Sequence, residues 1–102
     1  MYRIVLSPPA KEDIRGAAKW YNKRKGGLGS QLIHRIKETI AHIKENPYIT
    51  QVRFDDVRVA VVKQFPYSIH YKIKEELNTL LIHAVLHDHR NTDLWTNRAD
   101  KE

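Results

Sequence analysis

The stretch HAVLHDHRNTDLW, residues 83–95, holds three histidines, His83, His87 and His89, followed by Arg90. A fourth histidine, His70, lies upstream in SIHYK. Imidazole changes charge near neutral pH, so His70, His83 or His87 could act as general acid or base while Arg90 holds a phosphate. The pair His87-x-His89 also has the alternation of two ligands on one strand. Zinc, however, needs a third or fourth donor, and same-face neighbours on a strand lie ~6–7 Å apart. No metal and no cofactor are therefore expected, and the plain reading of these residues is surface histidines. Arg90 stands beside Asp88 and Asp93, where an ion pair fixing the turn competes with a role in target binding.

The elements that must position these residues can be read from periodicity. Tyr2-Arg-Ile-Val-Leu-Ser7 has the Tyr, Ile and Val content of a short strand. Ser7 followed by Pro8 reads as a helix start, with Ser capping free amides and Pro suited to the first turn. Glu12 and Asp13 should sit near the positive helix end. Ile14, Ala17, Ala18 and Tyr21 then mark one helical face, and KGGLG at 25–29 breaks the helix. Leu32 or Ile33, Ile36, Ile40 and Ile43 mark a second helix, which ends at Asn46-Pro47. So short a break predicts an antiparallel helix hairpin.

From about Val52 the pattern turns to strands, with runs at 57–65, 66–73 and 79–87 and a polar turn at 74–78. Parity puts Phe65, Tyr67, Ile69, Tyr71 and Ile73 on the helix side, with Leu80, Ile82, Ala84 and Leu86. It leaves Ser68, His70, Lys72, Leu81, His83, Val85 and His87 on the opposite, open face. The expected fold is a single α+β domain over residues 1–102. An N-terminal strand and an antiparallel two-helix hairpin precede an antiparallel β-meander, which forms a twisted sheet with the helices on one face.

Composition narrows the function. With 102 residues the chain can bury one modest core. It has no cysteine, which rules out disulfides and thiolate metal sites and suits a reducing cytoplasm. No run approaches the ~20 apolar residues of a membrane span. The N-terminus does not read as a signal peptide, so the protein is expected in the cytoplasm and off the membrane. A net charge of +6 favours polyanions or an acidic protein partner.

Phe65-Pro66-Tyr67 running into a strand, the ending Leu86-His87-x-x-Arg90, and the helix hairpin together resemble the RelE/ParE superfamily of type II toxin–antitoxin toxins, over residues 2–98. The resemblance implies a growth-inhibiting toxin neutralised by a cognate antitoxin, an acidic protein wrapped around it. In the RelE-like branch, which cleaves mRNA in the ribosome, basic side chains carry the chemistry. Two lysine positions of that branch fall here on Val59 and Val61, and a central arginine falls on Ser68. Only Arg90 matches, and the tyrosine that follows falls near Trp95 or Thr96. "VLHDHR" and "NPY" fit the ParE-like branch better, which implies a plasmid-stabilising inhibitor of DNA gyrase. The alternatives are a ribosome-dependent endoribonuclease, with His70, His83, His87 and Arg90 as catalytic candidates, and a basic binding module without toxicity. Whether the chain is an enzyme stays open on the sequence. Candidates for contact with target or antitoxin are Arg58, Val59, Val61, Lys63, His70, His87, His89, Arg90 and Trp95.

Overall fold

A computed structural model describes residues 1–89 of the chain. Ser7 caps the first helix as its sequence context predicts: its Oγ accepts the Ala10 amide at 3.2 Å, and Pro8 opens the first turn. This helix, α1 (Pro8–Arg24), follows strand β1 (Arg3–Leu6) and ends at a short turn containing Gly27. Gly27 has φ +90°, a conformation that costs glycine nothing. Helix α2 (Leu28–Glu45) starts beside α1, where the Asn22 side chain accepts the Gly29 amide at 2.8 Å. Strands β2 (Val52–Phe54), β3 (Val57–Val61), β4 (Tyr67–Lys74) and β5 (Thr79–His87) complete the chain's described elements.

The five strands form one sheet in the order β1-β5-β4-β3-β2. Strands β2 to β5 make the antiparallel meander, and β1 joins it at the far edge, parallel to β5. The core is the layer between helices and sheet. Ala17 of α1 and Leu32, Ile36 and Ile43 of α2 meet Tyr67, Ile69, Tyr71, Leu80, Ile82 and Val85 of the sheet. The α2 residues lie four and then seven apart, one and two turns of the helix, so one stripe of it faces the strands.

Two expectations need correction. Strand β3 ends at Val61 and does not reach residue 65. The Val62 amide bonds the Tyr67 carbonyl at 2.9 Å and closes the hairpin, while Gln64 takes φ +70° in the turn. The faces of β5 also switch partway along. Tyr71 pairs with Ile82 but His70 pairs with Ala84, so His83 is an extra residue, a β-bulge. Beyond it every side chain changes sides, as any one-residue slip requires. Val85 therefore joins the helix-side core, and Ala84 and Leu86 leave it. Helix α1 supplies partners for the bulged backbone. The Ser7 hydroxyl donates to the His83 carbonyl at 3.3 Å, and the Asp13 carboxylate accepts the Val85 amide at 2.9 Å. Asp13 and Glu12 thus lie beyond the first turn of α1: Asp13 faces the strand and Glu12 pairs with Arg15 at 2.6 Å.

At the other end of the sheet the fully buried Tyr71 donates its hydroxyl to the Pro47 carbonyl at 2.8 Å and lies 2.6 Å from Thr50 Oγ1, anchoring the exit of α2. Burial holds its phenol above the usual range. Nearby, Tyr2 and Tyr48 donate to the two oxygens of Glu75, at 2.5 and 2.8 Å. The bond to Glu75 pushes the Tyr2 phenol up to about 12 and, from the other side, holds the Glu75 carboxyl below its ordinary value. The Tyr2 contribution to stability is complete below the unfolded phenol value of ~10 and is lost as pH rises towards about 12. The Glu75 contribution is complete above the ordinary carboxylate range and is lost as pH falls through its lowered folded value. Melting curves of the parent chain and Tyr2→Phe should therefore differ at pH 7 and converge only as pH reaches about 12. A difference that is constant across that range would show that the Tyr2–Glu75 bond does not form in solution.

Candidate functional site

The bulge decides where the histidines go. His70, paired opposite Val59 and Ala84 on the sheet face away from the helices, is 0% exposed, and His83 is 1% exposed. Their ring centroids lie 6.4 Å apart, with Phe54 6.3 Å from His70. They are neighbours, as parity predicts, but they are buried and not on an open face. Ser68 beside them is buried too, its hydroxyl donating to Asp88 at 2.6 Å. Side chains shut away like this can shape a core but cannot meet an RNA backbone from solvent.

His87 goes elsewhere. Past the bulge it pairs with Tyr67 and its ring meets the Tyr67 ring edge-on at 5.2 Å, on the helix side. Its predicted place beside His70 and His83 is thus overturned by one extra residue. The backbone amide of His89 donates to His87 Nδ1 at 3.0 Å, which assigns the ring proton to Nε2 when the ring is neutral. His87 borders a cleft of about 280 Å³ against α1, with Glu12, Asp13, Trp20 and Tyr67 in its walls. Two carboxylates make that cleft a poor seat for phosphate. His89 is exposed, its ring 6.1 Å from that of His87. Among the described residues no group of three His, Asp or Glu could hold a metal ion. Arg90 and Trp95 lie outside the described residues.

The remaining candidates gather around β3. Arg58 is committed to the fold, with its guanidinium bonded to the Thr50 carbonyl and stacked over the Tyr48 ring at 4.9 Å. Val59 is buried, Val61 is 65% exposed, and Lys63 is exposed just past the strand. Val61 and Lys63 border a groove of about 860 Å³ between β3 and the second half of α2. The exposed Ile49, together with Arg53 and His42, lines the same groove. One signal for it lies in the sequence, where VAVV at 59–62 is apolar at positions of both parities. Asp13, which sets the bulge and so the positions of His83 and His87, carried no signal beyond its place near the start of a helix.

This helix hairpin packed on one face of a sheet gives a fold shared with solved toxins. The chain is similar to the chromosomal ParDE toxin–antitoxin system of P. aeruginosa, at 15% identity and a TM-score of 0.73, covering 85% of this chain and 96% of that one. It is similar to a chain of the intact E. coli RelBE complex, at 18% identity and a TM-score of 0.69, covering 88% and 100%. The isolated E. coli RelE toxin aligns at 16% identity and a TM-score of 0.68, covering 99% and 98%. No curated protein matches the chain. The family model described as the ParE toxin of the type II toxin–antitoxin system, parDE, matches residues 4–92. The chain belongs to this family and is a type II toxin–antitoxin toxin of the RelE/ParE superfamily. Among the described residues no helix is long and apolar enough to cross a membrane.

Proposed function

We propose that the protein is a ParE-like toxin that inhibits DNA gyrase by binding it, acts in the cytoplasm, and is neutralised by a cognate acidic antitoxin. The observation that carries this reading is the chemistry of the sheet face away from the helices. RelE-like cleavage calls for solvent-facing cations there, to orient the RNA and balance charge in the transition state. Here Val59, Ser68, His70 and His83 are buried, and Val61 is apolar. His87, turned to the other side, borders carboxylates. Among the described residues, apolar or buried groups at these positions fit a toxin that works by occupying a protein target. The net charge of +6 fits an acidic antitoxin.

Purified full-length chain should inhibit supercoiling of relaxed plasmid by gyrase and leave ribosome-bound mRNA uncut. Cuts in the mRNA that vanish in His87→Ala or Arg90→Ala would overturn this in favour of a ribonuclease. Inactivity in both assays, with no growth defect on expression, would leave a binding module.

A further inference from the structure

We infer that the outer face of α1 binds the phosphate backbone of duplex DNA without regard to sequence. The row Lys11, Arg15, Lys19 and Lys23 makes the contact, with Arg24 and Lys25 at its end. This activity goes beyond the gyrase reading and stands apart from it, because it needs only the free chain and DNA.

The charge of the molecule is concentrated on this face. Residues 11–25 hold six of the chain's 18 cations and two of its 12 acids, a net +4 out of a total of +6. Lys11, Arg15, Lys19 and Lys23 are exposed and recur every fourth residue. They therefore form one row along the helix, ~6 Å apart and ~18 Å from end to end. The two acids leave most of the row uncompensated. Asp13 turns to the Val85 amide of β5, and Glu12 pairs with Arg15. Among the described residues no acidic partner engages Lys11, Lys19 or Lys23. Arg24 is held over the Trp20 ring at 3.7 Å, which fixes one more cation at the end of the row.

Folding does not account for the row. Like charges at i, i+4 destabilise a helix, and Lys11 sits one turn from the positive helix end, where the dipole disfavours a cation. Only Lys23 and Arg24 occupy the last turn, where the dipole favours them. A polyanion relieves the repulsion, and release of its condensed counterions drives the association.

The rest of the face selects a duplex backbone. The apolar stripe of α1, with Ala10, Ile14, Ala17 and Tyr21, packs on the core. It leaves no apolar centre outside for a protein partner or for insertion into a membrane surface. Trp20 carries Arg24 over its ring and Tyr21 against it, so no open aromatic platform stacks unpaired bases on this face. A row of lysine and arginine contacts phosphates and positions a protein without reading bases.

The test measures binding of the purified full-length chain to a short fluorescent duplex by anisotropy, over a range of salt concentrations. The parent should bind two duplexes of unrelated sequence alike, with an affinity that falls steeply as salt rises. The variant Lys11→Gln/Lys19→Gln/Lys23→Gln should bind at least about tenfold more weakly and lose about 3 from the log–log salt slope, roughly one for each phosphate contact removed. The charge-matched variant Lys37→Gln/Arg53→Gln/Lys63→Gln, with all three changes at exposed positions off this face, should bind as the parent does. The row variant should melt no lower than the parent, because it loses repulsion and no partner. If it melts lower, Lys19→Gln alone carries the test, with a slope change of about 1. No salt-dependent binding by the parent overturns the inference. Equal weakening by the two triple variants overturns it too, since net charge alone would then account for binding. Tighter binding to a single strand than to the duplex also overturns it.

Discussion

Gly29→Ala is expected to destabilise the protein by about 3 kcal/mol, the upper end for overpacking a tight contact. The direction opposes helix propensity, by which Ala in place of Gly stabilises a helix by roughly 1 kcal/mol. Gly29 lies in the first turn of α2, and a Cβ there would fall inside van der Waals contact of the Ala18 carbonyl oxygen and 2.7 Å from Asn22 Nδ2. The amide group of Asn22 could rotate away, but the Ala18 carbonyl is backbone in the middle of α1. Relief therefore requires the helices to separate, and the Asn22 bond that caps α2 is lost in the same movement. Because the hairpin packs on the sheet as a unit, the gap spreads to the contacts of Ala17 and Leu32 with the strands. Gly16→Ala is the internal comparison. Gly16 is also helical, but nothing lies within 4 Å of the position its Cβ would take, so the same change should stabilise by ~0.5–1 kcal/mol. Urea denaturation of both variants should give shifts of opposite sign. Two stabilising shifts would mean that the helices do not approach as closely as the structure has them.

This contact also marks the limit of what the sequence could reveal. KGGLG announces a turn, but periodicity does not say which of its glycines serves the turn and which serves helix contact. Gly27 does the first and Gly29 the second. The helices, their order and strand β5 were legible because each depends on local rules: a Ser-Pro start, an Asn-Pro stop, and apolar repeats of period near 3.6 or 2. The family was legible for a related reason, since Phe65-Pro66-Tyr67 and Leu86-His87 mark the ends of those elements. The site was much less legible. Parity is a local rule that one added residue defeats, and the residues that hold the added one, Ser7 and Asp13, are more than 70 positions away in sequence, as the separations of 76 and 72 in their bonds to β5 show. His70 and His83 could be paired from sequence, but their burial could not be, because polar type argues for exposure. The groove at Val61 was hidden for another reason. It exists because β2 is short and leaves β3 uncovered, and strand length on a neighbour is not written in β3 itself.

Asp13→Ala should therefore act at a distance, costing about 2–3 kcal/mol and loosening the end of β5. The carboxylate accepts the Val85 amide just past the bulge, where β5 no longer follows its earlier register with β4. A hydrogen bond to a charged group contributes ~1.5–3 kcal/mol, and removing the acceptor leaves the N–H of a residue that is 1% exposed without it. Slipping the strand to regain a regular ladder would not help. It would return Ala84 and Leu86 to the helix side and expel Val85 from the core. The variant should keep its register but open more often at this point. The Val85 amide should exchange with solvent faster than in the parent, while Leu80 and Ile82, before the bulge, keep their rates. Asp13→Asn separates the two parts of the effect, since its amide oxygen can still accept from Val85 but carries no charge. Its loss should fall between those of the parent and the alanine variant. If Asn and Ala cost the same, the carboxylate does not act as the acceptor for the bulge. His87, four residues past the bulged His83, would then owe its position against Tyr67 to something other than Asp13.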